Sequence, residues 1–303
     1  MGLATTDTFK QLQNNNKDLK RINDAELKKL QKILFEMVCD FDEVCTKNEI
    51  NYHLTGGSCL GAVRHNGFIP WDDDVDIDIP RKDYEKFKKI FKKELGEKYI
   101  LDSIDTSSTY DLNVPKMRKR GTIYRTKDDI GSEEAGIAIE LCIIENTYDF
   151  VPMRYLQGFL SLAFGFINSC RNFYGKRKIF FEMAGDNKEI LRTFKIKAAL
   201  GFLFAWRSGR SWAKTWNKVN RMCKNEKSEY VVVPVGRKHF FGELYKRNEF
   251  SEGVRFKFNG KMLLIPKEYD KYLKHMYGDY MKIPKKDSKE AHTVFELDFG
   301  KDK

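Results

Sequence analysis

The sequence predicts an α+β fold: a small mixed β-sheet flanked by helices, with a basic, mainly helical insertion. Three observations carry this. Helical and strand periodicities alternate in short segments up to about residue 150. Residues 151–225 then hold 15 Lys and Arg against three acids, Glu182, Asp186 and Glu189, so this block carries +12 of a chain whose net charge is +11, and the rest is close to neutral. Strand and turn patterns return afterwards. The expected division is a flexible leader over 1–22, an α+β core over 23–150, a basic helical subdomain over 151–230, and a C-terminal segment over 231–303 that returns to the core.

The polar start, with Asn14, Asn15 and Asn16 in a row, reads as a loose leader rather than a secretory signal. Asn23 or Asp24 can cap a first helix, on which Leu27, Leu30, Leu34, Met37, Phe41 and Val44 recur at helical spacing to about Lys47. Residues 51–55 are short and extended and end at Gly56-Gly57, with a short helix expected over 58–63. Asp74-Val75-Asp76-Ile77-Asp78-Ile79 alternates strictly, as a strand does, and Pro80 ends it. A helix is expected over 81–95, with strands over 99–103, 114–117, 121–125 and 137–144. The apolar runs 156–167 and 198–206 fall well short of the roughly 20 residues a membrane span needs. They read either as helices packed within the basic subdomain or as helices lying at a membrane surface. A hairpin is expected over 254–265, turning at Asn259-Gly260, followed by a helix over 267–276.

Hydrophobic residues make up 41% of the chain, enough to exclude a disordered protein. The six cysteines form no C-x-x-C pair and read as reduced thiols of a cytoplasmic protein. The basic block implies an acidic partner. Nucleic acid is disfavoured because no DNA- or RNA-binding motif accompanies the charge.

The chemistry concentrates between Thr55 and Arg81. Asp74, Asp76 and Asp78 share one strand face, opposite β-branched Val75, Ile77 and Ile79. Carboxylates crowded on one face repel, and burying them is costly unless a cation compensates. Carboxylate oxygens suit Mg²⁺ or Mn²⁺, which keep positions open for substrate phosphates. An EF-hand calcium loop fails because Ile79 stands where its glycine belongs. Gly56 and Gly57 allow close backbone approach, and N–H groups from Ser58 onward can hold a phosphate. Glu140, alone on the apolar strand 136–141, is the expected third metal carboxylate with Asp74 and Asp76. Lys116 and Arg118 are candidate clamps for donor phosphates, or a solvated strand edge.

At these residues the sequence resembles the LicD family, within the nucleotidyltransferase-fold superfamily. The superfamily pattern of a small turn, Asp-h-Asp-h and a later h-Asp/Glu-h is matched by Gly57-Ser58, Asp74-Val75-Asp76-Ile77 and Ile139-Glu140-Leu141. The LicD-specific part runs Gly57-Ser58-Cys59-Leu60-Gly61-Ala62-Val63-Arg64-His65, then Gly67-Phe68-Ile69-Pro70-Trp71-Asp72-Asp73-Asp74, then Arg81-Lys82-Asp83-Tyr84. Lys116-Met117-Arg118, a closing segment from Pro266 to Met281, and His292 continue it. Ser58 stands where the family often has Thr, and Glu140 where it often has Asp.

The resemblance implies a nucleotidyltransferase-like core and an Mg²⁺-dependent (or Mn²⁺-dependent) phosphotransferase. It would move phosphocholine from CDP-choline to a hydroxyl of a teichoic acid or lipopolysaccharide sugar, the acceptor being lipid-linked or free. The alternatives are another CDP-alcohol, such as CDP-ribitol or CDP-glycerol, and a nucleotidyltransferase acting on a sugar or small molecule. Asp74, Asp76 and Glu140 would be catalytic and hold the metal. Gly57, Ser58, Arg64, His65, Lys116 and Arg118 would bind the donor, and Trp71, Asp72, Asp73 and His292 would contact substrate. Trp71 and Tyr84 are candidates for an aromatic site for choline. The expected location is the cytoplasm, at the inner face of the membrane, with peripheral contact through 151–225.

Overall fold

The computed structural model describes residues 22–132, 134–284 and 292–300, together with Thr8. The leader expected over 1–22 therefore lies outside the described residues apart from Thr8 and Ile22. The first helix, α1 (Asp24–Lys47), begins where the sequence places it. Asn23 accepts from the N–H groups of Ala25 and Glu26, and Glu26 reaches back to the Asn23 N–H, forming a capping box. Such a cap is worth about 1 kcal/mol. Leu30, Leu34, Met37 and Phe41 on its inner face are fully buried.

Short strand β1 (His53–Leu54) leads into α2 (Gly56–His65). Strand β2 (Asp76–Pro80) starts two residues later than the alternation suggests, so Asp74 lies in the approach to the strand. Helix α3 (Arg81–Glu94) follows, then β3 (Tyr99–Asp102), β4 (Lys116–Lys119), β5 (Ile123–Thr126) and β6 (Ala138–Asn146). The main sheet has the order β1-β2-β6-β4-β3. Only β2 and β6 run parallel; the other pairs are antiparallel, so the sheet is mixed as expected.

Alternation sends Ile77, Ile79, Leu141 and Ile143 to one face, where they join the core with α1 and α3. Phe41 of α1 and Phe87 of α3 meet edge-on there, ring centroids 5.0 Å apart. Asp76, Glu140 and Lys116 project from the opposite face.

The basic block is helical: α4 (Val151–Ala184), α5 (Lys188–Leu203) and α6 (Gly209–Asn220). The apolar run 156–167 is not a separate helix. It belongs to a 34-residue helix that continues through the basic stretch Arg171–Lys178. Asn187 caps α5 by accepting from Glu189 and Ile190. No helix among the described residues is long and apolar enough to cross a membrane.

The C-terminal part returns to the sheet. Strand β7 (Tyr230–Val232) pairs with the end of β6, and β8 (Leu244–Lys246) with β7. Two one-turn helices, α7 (His239–Gly242) and α8 (Arg247–Phe250), flank β8. The expected hairpin is β9 (Gly253–Phe258) with β10 (Lys261–Pro266). Helix α9 (Tyr269–Tyr277) follows, and β11 (Val294–Asp298) pairs with β5.

Candidate functional site

Asp76 on β2 and Glu140 on β6 are direct register partners across two parallel strands. Residues in register on neighbouring strands share a face, so the two carboxylates project side by side. The backbone locks this register: the Glu140 N–H donates to Val75 O at 3.0 Å, and the Thr55 N–H donates to Asp76 O at 3.0 Å. Asp74 enters from the preceding loop, near enough for its charge and that of Glu140 to push up the Asp76 pKa, with burial the largest cause. Asp74 is itself pushed up to about 6 by burial and by Asp73 and Glu140, against the pull of His292. The Asp74 and Glu140 side chains keep 27% and 32% of their surface exposed, so solvent reaches the cluster from one side.

The third strand acid, Asp78, does not join this group. Its side chain is buried without a geometric hydrogen-bond partner, and burial, then the nearby Glu243, push its pKa well up. The protonated form is the one such a setting favours.

The glycine pair is explained by the acids. A Cβ at Gly57 would lie 2.8 Å from Asp72 Oδ2, closer than real contacts allow. A Cβ at Gly56 would lie 3.2 Å from Asp76 Oδ2, and Gly56 has φ +51°. The start of α2 thus packs against two carboxylates, the end of a helix that favours negative charge. The Gly56 N–H is taken by Tyr272 Oη at 2.9 Å. Ser58, expected to bind phosphate, is buried, and its hydroxyl accepts from the Asp76 N–H at 3.1 Å, so it braces the start of β2. Gln31 Nε2 holds the acidic loop by donating to Ile69 O and Asp72 O.

Lys116 and Arg118 are brought to the same sheet face but not as solvent-facing clamps. Lys116 Nζ lies 2.8 Å from Glu140 Oε1 and 3.9 Å from Asp129 Oδ1. Arg118 is buried and pairs with Asp102 at 3.1 Å and Asp129 at 2.7 Å. Arg118, expected at donor phosphate, is thus placed against two carboxylates inside the fold. Its guanidinium neutralises two buried carboxylates, and breaking such a pair costs about 3–5 kcal/mol.

Asp73, expected at substrate, is buried and fully engaged. It accepts from Tyr124 Oη at 2.7 Å and from the His292 N–H at 2.9 Å, and pairs with His292 Nδ1 at 3.0 Å. His292 also lies 3.7 Å from Asp74 Oδ2. Burial alone would lower the His292 pKa, but Asp73 and Asp74 hold it well above the ordinary value. Asp73, Asp74 and His292 offer ligand atoms within 4.8 Å of one another, a grouping the sequence did not single out for metal.

Arg64 donates from Nη1 to Tyr280 O at 2.8 Å and from Nε to His65 Nε2 at 3.0 Å. His65 stands edge-on to Trp71, with ring centroids 6.4 Å apart. Arg64 and His65 therefore brace the loop, with Asp72 close enough to feel the Arg64 charge. Burial first, then Asp74 and Asp73, push Asp72 well up, and its carboxyl hydrogen-bonds Asp74. Tyr84 is buried on α3 beneath Arg81 and Lys88, not at the carboxylates. Sequence reasoning missed Tyr124, Asp129 and Tyr277. The Tyr277 hydroxyl would lie 3.8 Å from a Cβ at Gly56, and its pKa is raised by burial and then by Asp76. Only Tyr277, inside the closing segment, carried a sequence signal.

The model of the LicD/FKTN/FKRP nucleotidyltransferase domain matches residues 49–134, which hold the glycine pair and the aspartates. The lipopolysaccharide cholinephosphotransferase LicD of Haemophilus influenzae is 24% identical over 286 residues, covering 89% of this chain and 97% of that protein. An uncharacterized Rickettsia typhi protein is 44% identical over 80 residues, 26% of this chain and 25% of its own length. The human ribitol 5-phosphate transferase FKRP is 45% identical over 47 residues, 16% of this chain and 10% of that protein. The chain thus carries a match to the LicD/FKTN/FKRP nucleotidyltransferase domain at its acidic site and is similar to one LicD protein along nearly its whole length.

Proposed function

We propose that this protein is a divalent-cation-dependent phosphotransferase. It moves phosphocholine from CDP-choline to a hydroxyl of a cell-surface glycan precursor, a teichoic acid or lipopolysaccharide sugar. The carrying observation is the side-by-side placement of Asp76 and Glu140 on parallel strands, with Asp74 coupled to both. The donor chemistry suits a hard cation: carboxylates open to solvent on one side, with the pKa values of Asp74 and Asp76 raised by burial and then by neighbouring carboxylates, although the ligand atoms that converge within 4.8 Å among the described residues are those of Asp73, Asp74 and His292. Asp74, Asp76 and Glu140 would hold Mg²⁺ or Mn²⁺, which neutralises phosphate charge and orients the pyrophosphate.

The chain's own groups then have distinct tasks. Lys116 fixes Glu140 through Oε1, which leaves Oε2 to complete the metal site or, in the alternative, to take the proton of the acceptor hydroxyl. The N–H groups of Gly57 and Ser58, without acceptors inside α2, can face donor phosphate. The acceptor oxygen bonds to the phosphorus bearing choline, the bond from that phosphorus to the CMP oxygen breaks, and CMP leaves with the electron pair. Arg64, His65 and the Asp73–His292 pair keep the acidic loop in place. The reading sets the reaction at the cytoplasmic side of the membrane with a lipid-linked glycan acceptor, and gives nucleic acid no part.

The similarity to a ribitol 5-phosphate transferase over 47 residues favours a second reading, in which the donor is CDP-ribitol or CDP-glycerol. The test is a thermal-shift screen with Mg²⁺ and each CDP-alcohol, followed by product analysis. CDP-choline should shift the melting most and yield CMP once acceptor is added. A shift by nucleoside triphosphates alone, with pyrophosphate released, would replace phosphotransfer by nucleotidyl transfer.

A further inference from the structure

A helix on a globular domain normally turns its apolar stripe inward. The first half of α4 does the reverse. Its buried positions include Gln157, Ser161 and Asn168. Gln157 Nε2 donates to Asn220 O at 2.9 Å and its Oε1 accepts from Thr147. Ser161 Oγ donates to Asn220 Oδ1 at 2.7 Å, and Asn168 Nδ2 to Gly209 O at 3.1 Å. Outward, Tyr155, Leu156, Phe159, Leu162 and Phe166 recur at helical spacing as one exposed stripe, with Phe159 61% exposed. Phe241 of α7 lies against Tyr155 and Phe159, ring centroids 5.4 Å from each, and extends it.

The exposed face of α5 combines the same apolar character with charge. Its N-terminal half presents Lys188, Arg192 and Lys195 to solvent. Its end packs beside the middle of α4, where Gly201 meets Cys170 and Tyr174. There Phe202, Leu203 and, just beyond the helix, Trp206 are 60%, 64% and 72% exposed. Cations and large apolar groups on one surface match a bilayer whose headgroups are anionic. A second copy fits poorly, since the block's excess of Lys and Arg would repel its like, and no helix here crosses a membrane.

We infer that the outer faces of α4 and α5 seat the protein on an anionic bilayer surface, with Phe159 and Trp206 inserted among the headgroups. This stands apart from the transfer reading, because its test reads no catalysis. The full chain is sedimented with vesicles of phosphatidylethanolamine and phosphatidylglycerol, and with vesicles lacking the anionic lipid. Two variants accompany it: Phe159→Ser with Trp206→Ser, and Lys188→Gln with Arg192→Gln and Lys195→Gln. All five positions are exposed, and circular dichroism checks their folding. Wild type should bind the anionic vesicles and bind less as salt rises. Both variants should lose at least about tenfold in partitioning. Wild type remaining in the supernatant, or variants that sediment like wild type, would overturn the inference. So would a dimer that the first variant dissociates while no form binds vesicles.

Discussion

Neutralising Asp74 gives the sharpest handle on the acidic cluster. Burial, with the charges of Asp73 and Glu140, pushes this carboxyl from 3.8 up to about 6. The folded chain therefore holds the proton that the unfolded chain releases near pH 4. Stability gained from the protonated form is lost as pH rises through that interval. Two pH units correspond to about 3 kcal/mol. Solvent at the 27% of the side chain left exposed trims this to about 1–2 kcal/mol. Asp74→Asn keeps the shape and removes the charge. Scanning fluorimetry without metal should show its Tm about 2–6 °C above wild type near pH 8, the two converging near pH 4. Millimolar Mg²⁺ should raise the wild-type Tm and leave the variant nearly unmoved. Equal wild-type and variant Tm at both pH values, or an undiminished Mg²⁺ response, would refute the reasoning.

Other variants separate holding roles from substrate roles. Arg118→Met strands the buried Asp102 and Asp129, so urea unfolding should show a loss of about 3–5 kcal/mol; a normal stability with a raised donor KM would restore Arg118 as a phosphate ligand. Gly57→Ala drives a methyl against Asp72 Oδ2 and should cost about 1–3 kcal/mol in the same assay while weakening Mn²⁺ binding. Tyr124→Phe removes a donor from buried Asp73 and should cost about 1–2 kcal/mol by thermal melting. For His292, whose folded pKa is raised, the stabilisation is present below the unfolded value near 6.5 and disappears as pH climbs through the folded one. His292→Asn should accordingly destabilise most in mildly acidic solution, read by chemical unfolding across pH.

What the sequence made legible was local. The capping box at Asn23 and Glu26, the Asn259-Gly260 turn and the strict alternation around Asp76 each need only neighbouring residues, and each element forms near its expected span. The LicD resemblance had the same footing, since its motif is nearly contiguous. Elements that exist through distant pairing were hidden: β7 and β11 are short and pair with β6 and β5 far away in sequence, and the short β8 is built on β7. The length of α4 was hidden because its polar and apolar faces are exchanged, so periodicity could not say which side is buried. Arg118 was not legible because, in sequence, a cation near an acidic motif looks alike whether it meets phosphate or a buried Asp102. The Asp73–Tyr124–His292 group joins three distant segments, and nothing local announces it.

Mn²⁺ affinity measured by electron paramagnetic resonance tests the central claim most directly, on wild type, Asp76→Asn, Glu140→Gln and the exposed control Asp270→Asn. The account predicts binding by wild type and the control, weakened at least about tenfold in Asp76→Asn and in Glu140→Gln. Wild-type affinity in folded Asp76→Asn and Glu140→Gln would contradict it.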